Sequence, residues 1–300
     1  MSIVPPSGKG AGNGRITVPD ILRRKISADK AARSPYTQKI TCLTAYDFPT
    51  ARLLDEAGVD ILLVGDSLGM VVLGEETTLP VTLDEMLHHV KAVRRGTRRA
   101  LLVADMPFGS FHVSAEETVR AALRLVKEGG VDAVKIEGGE KRMEMIARLV
   151  ESEIPVMGHV GLTPQSVLEL GGFRVQGRTA ESAERLLRDA RAVEAAGAFS
   201  VVLESVPREL AARITGEMRI PTIGIGAGPD CDGQVLVFHD LVGLSLNGSP
   251  KFARQYANLG EEISRAARAF CEDVHSGNFP SDGESFHAPQ FAAPTKTQVH

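Results

Sequence analysis

Through the middle of the chain, short aliphatic and β-branched runs alternate with longer segments in which apolar residues recur every three to four positions. The runs are ITCLTAY from Ile40, DILLVGD from Asp60, ALLVADMP from Ala100, DAVKIEG from Asp132, IPVMGHVG from Ile154, FSVVLESV from Phe199 and IPTIGIGAG from Ile220. A weaker eighth, QVLVFHD, starts at Gln234. Apolar residues fill successive positions rather than alternate ones, as in parallel strands with helices covering the sheet.

The longer segments read as amphipathic helices, for example LDEMLHHVKAVRR, SAEETVRAALRLVKEG and SAERLLRDARAVEAAG. Gly129 and Gly197 stand where two of them should close. Ser114 with Glu117 forms a capping-box pattern at a helix start. Eight strands separated by helices predict an α/β fold, a closed (β/α)8 TIM barrel, ahead of a doubly wound open sheet. The connection between the seventh and eighth runs is short, so either its helix is abbreviated or the eighth strand lies elsewhere. The segment ITVPDILRRK, from Ile16, is expected as a short helix plugging the barrel bottom.

A single catalytic domain over residues 16–275 is therefore expected, flanked by tails at 1–15 and 276–300 whose Pro, Gly and Ser content predicts disorder. The net charge of −4 offers no basic field for nucleic acid. No apolar stretch approaches a membrane span, and the amino terminus lacks a signal-peptide core. The three cysteines, Cys42, Cys231 and Cys271, share no close spacing and suit a reducing compartment. A cytoplasmic protein is expected.

Chemistry in such a barrel gathers at the carboxyl-terminal ends of the strands. Four runs deliver a carboxylate there: Asp66, Asp105, Glu137 and Glu204. One such residue could be a helix cap; four converging on one rim point to a cation. Oxygen donors without Cys favour Mg²⁺. His159 reads as a hydrogen-bonding rim residue. Lys135, two positions before Glu137, should share its side of the strand and either neutralise the carboxylates or bind an anionic substrate. The glycines of IGIGAG lie late in the chain and lack the dinucleotide-binding spacing.

The succession VGDSLGMVVLGEETTLPVTLDEM, HHVKAVRRG, LLVADMPFGS, VKIEGGE, GHVGLTPQS, GGFRVQGR, VLESVP and IGIGAGPDCDGQVLVFHD resembles the ketopantoate hydroxymethyltransferase family, in order, over about residues 16 to 275. The resemblance implies a barrel of the phosphoenolpyruvate mutase/isocitrate lyase superfamily and a homo-oligomer, commonly a decamer of two pentameric rings. It implies transfer of a hydroxymethyl group from 5,10-methylenetetrahydrofolate to 3-methyl-2-oxobutanoate, giving 2-dehydropantoate. It further implies Asp66 and Asp105 as Mg²⁺ ligands that also contact substrate, Glu137 as a third metal contact through water, Ser67 and Lys135 as binders of the substrate carboxylate, and Glu204 as the base. The apolar neighbours Val201, Val202 and Leu203 suggest a partly desolvated carboxylate there.

Two other readings remain at this point: a Mg²⁺-dependent lyase or mutase acting on another 2-oxo acid, which would bring a loop cysteine to the mouth, with Cys231 the nearest candidate, and a non-catalytic oligomeric scaffold. For the folate carrier, residues 74–80 and 173–178 are the rim candidates.

Overall fold

The computed structural model describes residues 14–25, 39–172, 174–246 and 248–288. Eight strands form a closed, all-parallel barrel in chain order: β1 (Ile40–Thr44), β2 (Ile61–Val64), β3 (Leu101–Asp105), β4 (Ala133–Glu137), β5 (Val156–Gly161), β6 (Ser200–Glu204), β7 (Thr222–Ile225) and β8 (Gly233–Leu236). Helix α1 (Val18–Leu22) precedes them, and α2 (Phe48–Glu56), α3 (Leu68–Val71), α4 (Leu83–Gly96), α5 (Ala115–Arg124), α6 (Met143–Glu151), α7 (Val167–Leu170), α8 (Ala180–Ala195) and α9 (Arg208–Glu217) lie between strands. All eight expected runs form strands. Residues 226–232 link β7 to β8 without a helix, and α10 (Phe238–Val242) and α11 (Leu259–Ser276) follow the last strand.

Alternation along each strand separates two cores. Outward-facing Ala104, Val134, Ile136, Val160, Val201 and Leu203 pack into the helix layer. Inward-facing Ile40, Cys42, Ile61, Leu63, Leu101, Val103, Met157, Val202, Ile223 and Val235 fill the barrel. The interior changes character with height: β3 runs inward from Leu101 and Val103 to Asp105, and β4 from Ala133 to Lys135 and Glu137. The lower barrel is thus dry and the upper end charged.

Helix α1 closes the dry end, as its sequence suggests. Its Ile21 is fully buried and, with Ile16, joins the interior cluster. The residues after it are tied to strand starts: Arg24 pairs with Asp60 at 2.8 Å, and Lys25 Nζ donates to Asp232 and to the Thr215 carbonyl, both at 2.7 Å. The remainder of the expected amino-terminal tail, and residues 289–300 of the other, fall outside the described residues.

Three local readings are refined. At the end of α5 the chain widens into a π-helical turn, Leu125–Gly129, and Gly130 rather than Gly129 takes the closing left-handed conformation, with φ 74°. Gly129 instead permits contact with α4, where an added Cβ would meet Val90 at 2.6 Å. At Ser114 the hydroxyl caps the Glu117 amide. At Gly197 the expected closure of α8 occurs, with φ 95°.

Helix α8 lies so close to β5 that a Cβ on Gly158 would come within 2.2 Å of Val193 Cγ1. Gly158→Ala should therefore destabilise the protein by about 1–3 kcal/mol through overpacking. Combining it with Val193→Ala should cost less than the sum of the single changes by about 0.5–3 kcal/mol, a coupling readable from denaturant unfolding curves. Ile21→Ala should remove about 2–5 kcal/mol by opening a cavity at the plugged end, seen as a lower unfolding midpoint.

Candidate active site

Strand ends bring the expected residues together at the barrel mouth. Asp105, Glu137 and Glu204 are the last residues of β3, β4 and β6, while Asp66 follows β2 after Gly65. A side chain at Gly65 would come within 2.8 Å of Ser67 Oγ and 3.4 Å of Asp105 Oδ2, so a larger residue there would displace the Ser67 hydroxyl. The Asp66 amide donates to Asp105 Oδ2 at 3.0 Å, which locks the two acidic residues side by side.

Lys135 shares Glu137's side of β4, as the strand period requires. Its buried ammonium lies 2.7 Å from Asp105 Oδ1 and 3.9 Å from Glu137 Oε1. His159, on β5, bridges the cluster: Nδ1 is 3.2 Å from Lys135 Nζ and 3.3 Å from Glu137 Oε1, and Nε2 is 3.2 Å from Glu204 Oε2. The Nε2–Glu204 approach has ion-pair distance without hydrogen-bond alignment. Glu204 retains 16% side-chain exposure, so the network is open at its outer end. Val201 and Leu203, expected beside this carboxylate, point into the helix layer by alternation; Val202 shares its inward face. Glu204's close neighbour is thus a histidine, not an apolar wall.

The electrostatics follow from burial in company. Asp66 is pushed well above the usual carboxylate range by burial and by the charges of Asp105 and Glu137. For Glu137 burial acts upward too, but the hydrogen bond and charge of His159, then Lys135 and the Gln165 amide, outweigh it and hold the group low. Burial and Lys135 disfavour a charged His159; Glu137 and Glu204 outweigh them and raise its pKa from 6.5 to about 9. Burial likewise opposes the Lys135 ammonium, and Asp105, Glu137 and Asp66 more than compensate, raising its pKa.

With every group ionised, four carboxylates face Lys135 and His159, leaving an excess of two negative charges, which one divalent cation would balance. Asp105 Oδ1 is buried without an aligned hydrogen bond, so it has capacity for a further ligand. Among the described residues no three His, Cys, Asp or Glu side chains form a metal cage on their own. An all-oxygen site with one or two protein carboxylates, completed by water and substrate, remains suited to a hard cation.

Two contributors carry no pattern that singles them out. Gln165, in the turn Pro164–Ser166 after β5, donates from Nε2 to Asp66 Oδ2 at 2.8 Å and to the Met106 carbonyl at 3.0 Å. Its backbone amide donates to Glu137 Oε2 at 3.0 Å. Tyr46, buried just past β1, hydrogen-bonds Ser67 Oγ through its hydroxyl at 2.8 Å. Both lie in the motif-bearing segments, but only the folded chain brings them to their partners.

Beside Glu137 and Gln165 a cleft of 280 Å³ opens between the β4 and β5 ends and α8. Of the expected carrier segments, 173–178 reaches this cleft through Gln176 and Gly177, whereas 74–80 does not; Phe173 lies outside the described residues. The cysteines are elsewhere: Cys42 is inside the lower barrel, Cys231 is buried with its thiol pKa raised chiefly by burial, and Cys271 is on α11. A loop cysteine at the mouth, which the lyase reading calls for, is therefore not supplied by any of them.

Comparison with known proteins agrees with this architecture. Solved barrels with similar folds include a 2,3-dimethylmalate lyase of the PEP mutase/isocitrate lyase superfamily, at TM-score 0.56 and 17% identity over 88% of this chain and 86% of that one. A phosphonopyruvate hydrolase in complex with oxalate and Mg²⁺ gives TM-score 0.55 and 15% identity over 90% and 93%. At these identities the likeness is one of fold. In sequence, the 3-methyl-2-oxobutanoate hydroxymethyltransferase of Koribacter versatilis is 59% identical over 87% of this chain and 88% of its own. That of Pelobacter propionicus is 54% identical over 91% and 98%. The profile described as ketopantoate hydroxymethyltransferase matches residues 24–282, and the chain belongs to that family.

Proposed function

We propose that the protein transfers a hydroxymethyl group from 5,10-methylenetetrahydrofolate to 3-methyl-2-oxobutanoate, giving 2-dehydropantoate and tetrahydrofolate. The observation that carries this reading is the single network joining Asp66, Asp105, Lys135, Glu137 and Glu204 at the mouth of a barrel of this family.

In this reading Asp66 and Asp105 would hold Mg²⁺ and contact the substrate, with Glu137 as the third acidic contact. When bound, the cation supplies Lewis-acid polarisation of the 2-oxo group and charge stabilisation for the enolate. Lys135 and the Ser67 hydroxyl bind the substrate carboxylate, with Tyr46 orienting Ser67. Glu204 removes the proton from C3. His159 holds Glu204 in place from below and keeps Glu137 ionised. Water adds to the one-carbon unit and both of its C–N bonds to the carrier break, the carrier nitrogens taking protons, so that the unit is released as formaldehyde. The enolate carbon then forms the new C–C bond to the formaldehyde carbon, whose oxygen takes a proton and becomes the hydroxyl.

The same reading makes the protein a cytoplasmic homo-oligomer, with a decamer as the expected form. Helix α11 supports assembly: it has no buried residue, and Leu259, Ile263, Phe270 and Val274 stay exposed on it. Among the described residues no helix is long and apolar enough to cross a membrane.

In D₂O with Mg²⁺ and without folate, the protein should exchange the C3 proton of 3-methyl-2-oxobutanoate, measured by NMR. Glu204→Gln should slow that exchange by about 10²–10⁴-fold; full retention of exchange would remove Glu204 as the base. If wild type exchanges only when tetrahydrofolate is added, carrier binding precedes proton abstraction.

Because the Asp66 pKa is raised, a proton competes with the metal as pH falls. Apparent Mg²⁺ affinity should weaken with decreasing pH, approaching about tenfold per unit once Asp66 is protonated in the metal-free protein. Calorimetry in buffers of different ionisation enthalpy should show proton release on binding. Affinity that is unchanged across the acid range, with no proton release, would take Asp66 out of the ligand set.

A further inference from the structure

Gln165 sits where four strand ends converge. It lies in the turn Pro164–Ser166 just after β5 and is 4% exposed. Its Nε2 donates to Asp66 Oδ2 at 2.8 Å, beyond β2, and to the Met106 carbonyl at 3.0 Å, one residue past the end of β3. Its backbone amide donates to Glu137 Oε2 at 3.0 Å, at the end of β4. Of the four acidic residues at the mouth, Gln165 therefore grips two directly and holds the backbone beside a third, Asp105. The fourth, Glu204, has His159 as its neighbour instead.

The side-chain amide is held in this pose against a penalty. Turning it over would set Oε1 against two acceptor oxygens, so the donors must face Asp66 and Met106. Oε1 is then left buried with no hydrogen-bond partner. An apolar side chain of similar length would strand no carbonyl, so the two donations are what the amide supplies here.

Donors divide the oxygens of the two aspartates in the same way. Asp105 Oδ2 accepts from the Asp66 amide at 3.0 Å, which leaves Oδ1 with the Lys135 ammonium 2.7 Å away but no aligned hydrogen bond. Asp66 Oδ2 accepts from Gln165, and among the described residues no hydrogen bond reaches its Oδ1. Each carboxylate is pinned by one oxygen, and the other is left for a further ligand. The terminal torsion of an aspartate is broad, so a carboxylate without such a pin would not keep its two oxygens apart in role. Lys135 pairs with Asp105 and Glu137 but not with Asp66, which leaves Gln165 as the side chain that fixes it.

We infer that Gln165 is a positioning residue for the cation site: it locks the Asp66 carboxylate through one oxygen so that the other is presented to the divalent ion. Its backbone amide steadies Glu137 in the same manner, and that contact survives a change of side chain. A division of labour at the mouth follows. Gln165 serves the metal-holding side and His159 the side of Glu204, with Glu137 common to both. The inference rests on the proposed role of Asp66 in holding Mg²⁺ and adds the residue that sets its geometry.

Gln165→Met keeps an unbranched side chain of similar length and removes both side-chain donors. In the full-length protein, calorimetric titration with Mg²⁺ should show affinity weakened by about 10–100-fold, the usual effect of losing a group that hydrogen-bonds a metal ligand. Exchange of the C3 proton of 3-methyl-2-oxobutanoate separates this from general damage. The Mg²⁺ concentration for half-maximal exchange should rise by the same factor, and the rate at saturating Mg²⁺ should fall by far less. Unchanged Mg²⁺ affinity in the folded variant overturns the inference, and so does a rate equally depressed at saturating Mg²⁺. If Gln165→Met does not fold, wild type decides: a crystal structure with Mg²⁺ should keep Nε2 hydrogen-bonded to one Asp66 oxygen and place the ion on the other. An ion on the oxygen that faces Gln165, with the amide displaced, overturns it. Asp66→Asn is the reference for the proposed function. Mg²⁺ affinity unaffected by that change removes Asp66 as a ligand, whereas affinity lost in Asp66→Asn but kept in Gln165→Met removes Gln165 alone.

Discussion

The arrangement at the barrel mouth depends on burying acids and bases together. A lone carboxylate at the depth of Glu137 would take up a proton rather than remain charged in low dielectric. His159 and Lys135 reverse that balance for Glu137, but Asp66 is left with the cost. The protein alone does not fully neutralise its own site. The unpaired remainder is the charge that the proposed cation would answer, and it gathers at one end of the barrel.

The opposite end shows how that concentration is tolerated. Apolar layers fill the interior below Lys135, and α1 seals them, with Arg24 and Lys25 fastened to Asp60 and Asp232. Charge at the bottom is spent on fastening the chain, and each buried acid there has a partner supplied by the fold. The two ends therefore answer different demands, stability below and receptivity above, with the strand interiors serving as the insulating layer between them.

Much of this was legible from the chain. Continuous apolar runs gave all eight strands because parallel strands are covered on both faces, and the carboxylates following those runs marked the mouth. The shortness of the link between β7 and β8 was readable from its length, whereas the complete loss of its helix was not. Less was legible where partners come from distant segments. Gln165 reaches Asp66 across 99 positions from a short turn, and no periodicity announces it. Of the apolar neighbours of Glu204 only Val202 shares its inward face, because neighbours in sequence point to opposite faces of a strand; the carboxylate meets His159, which stands across the ladder from Val202. The glycine closing α5 was displaced by one because the π-helical turn inserts an extra residue, and hydrophobic spacing does not distinguish that from a regular helical end.

The alternation of the strands also bears on how the protein can be redesigned. Positions 105, 135, 137, 159 and 204 line the mouth, whereas their strand neighbours 104, 134, 136, 160 and 203 belong to the helix-facing core. The two sets interleave along the same strands yet face opposite sides of the barrel wall. A combinatorial library restricted to the mouth and its surrounding loops could explore new acceptor molecules while the packing that specifies the barrel stays constant. The same separation limits rescue, because compensating changes in the helix layer have little mechanical route to a misplaced group at the mouth.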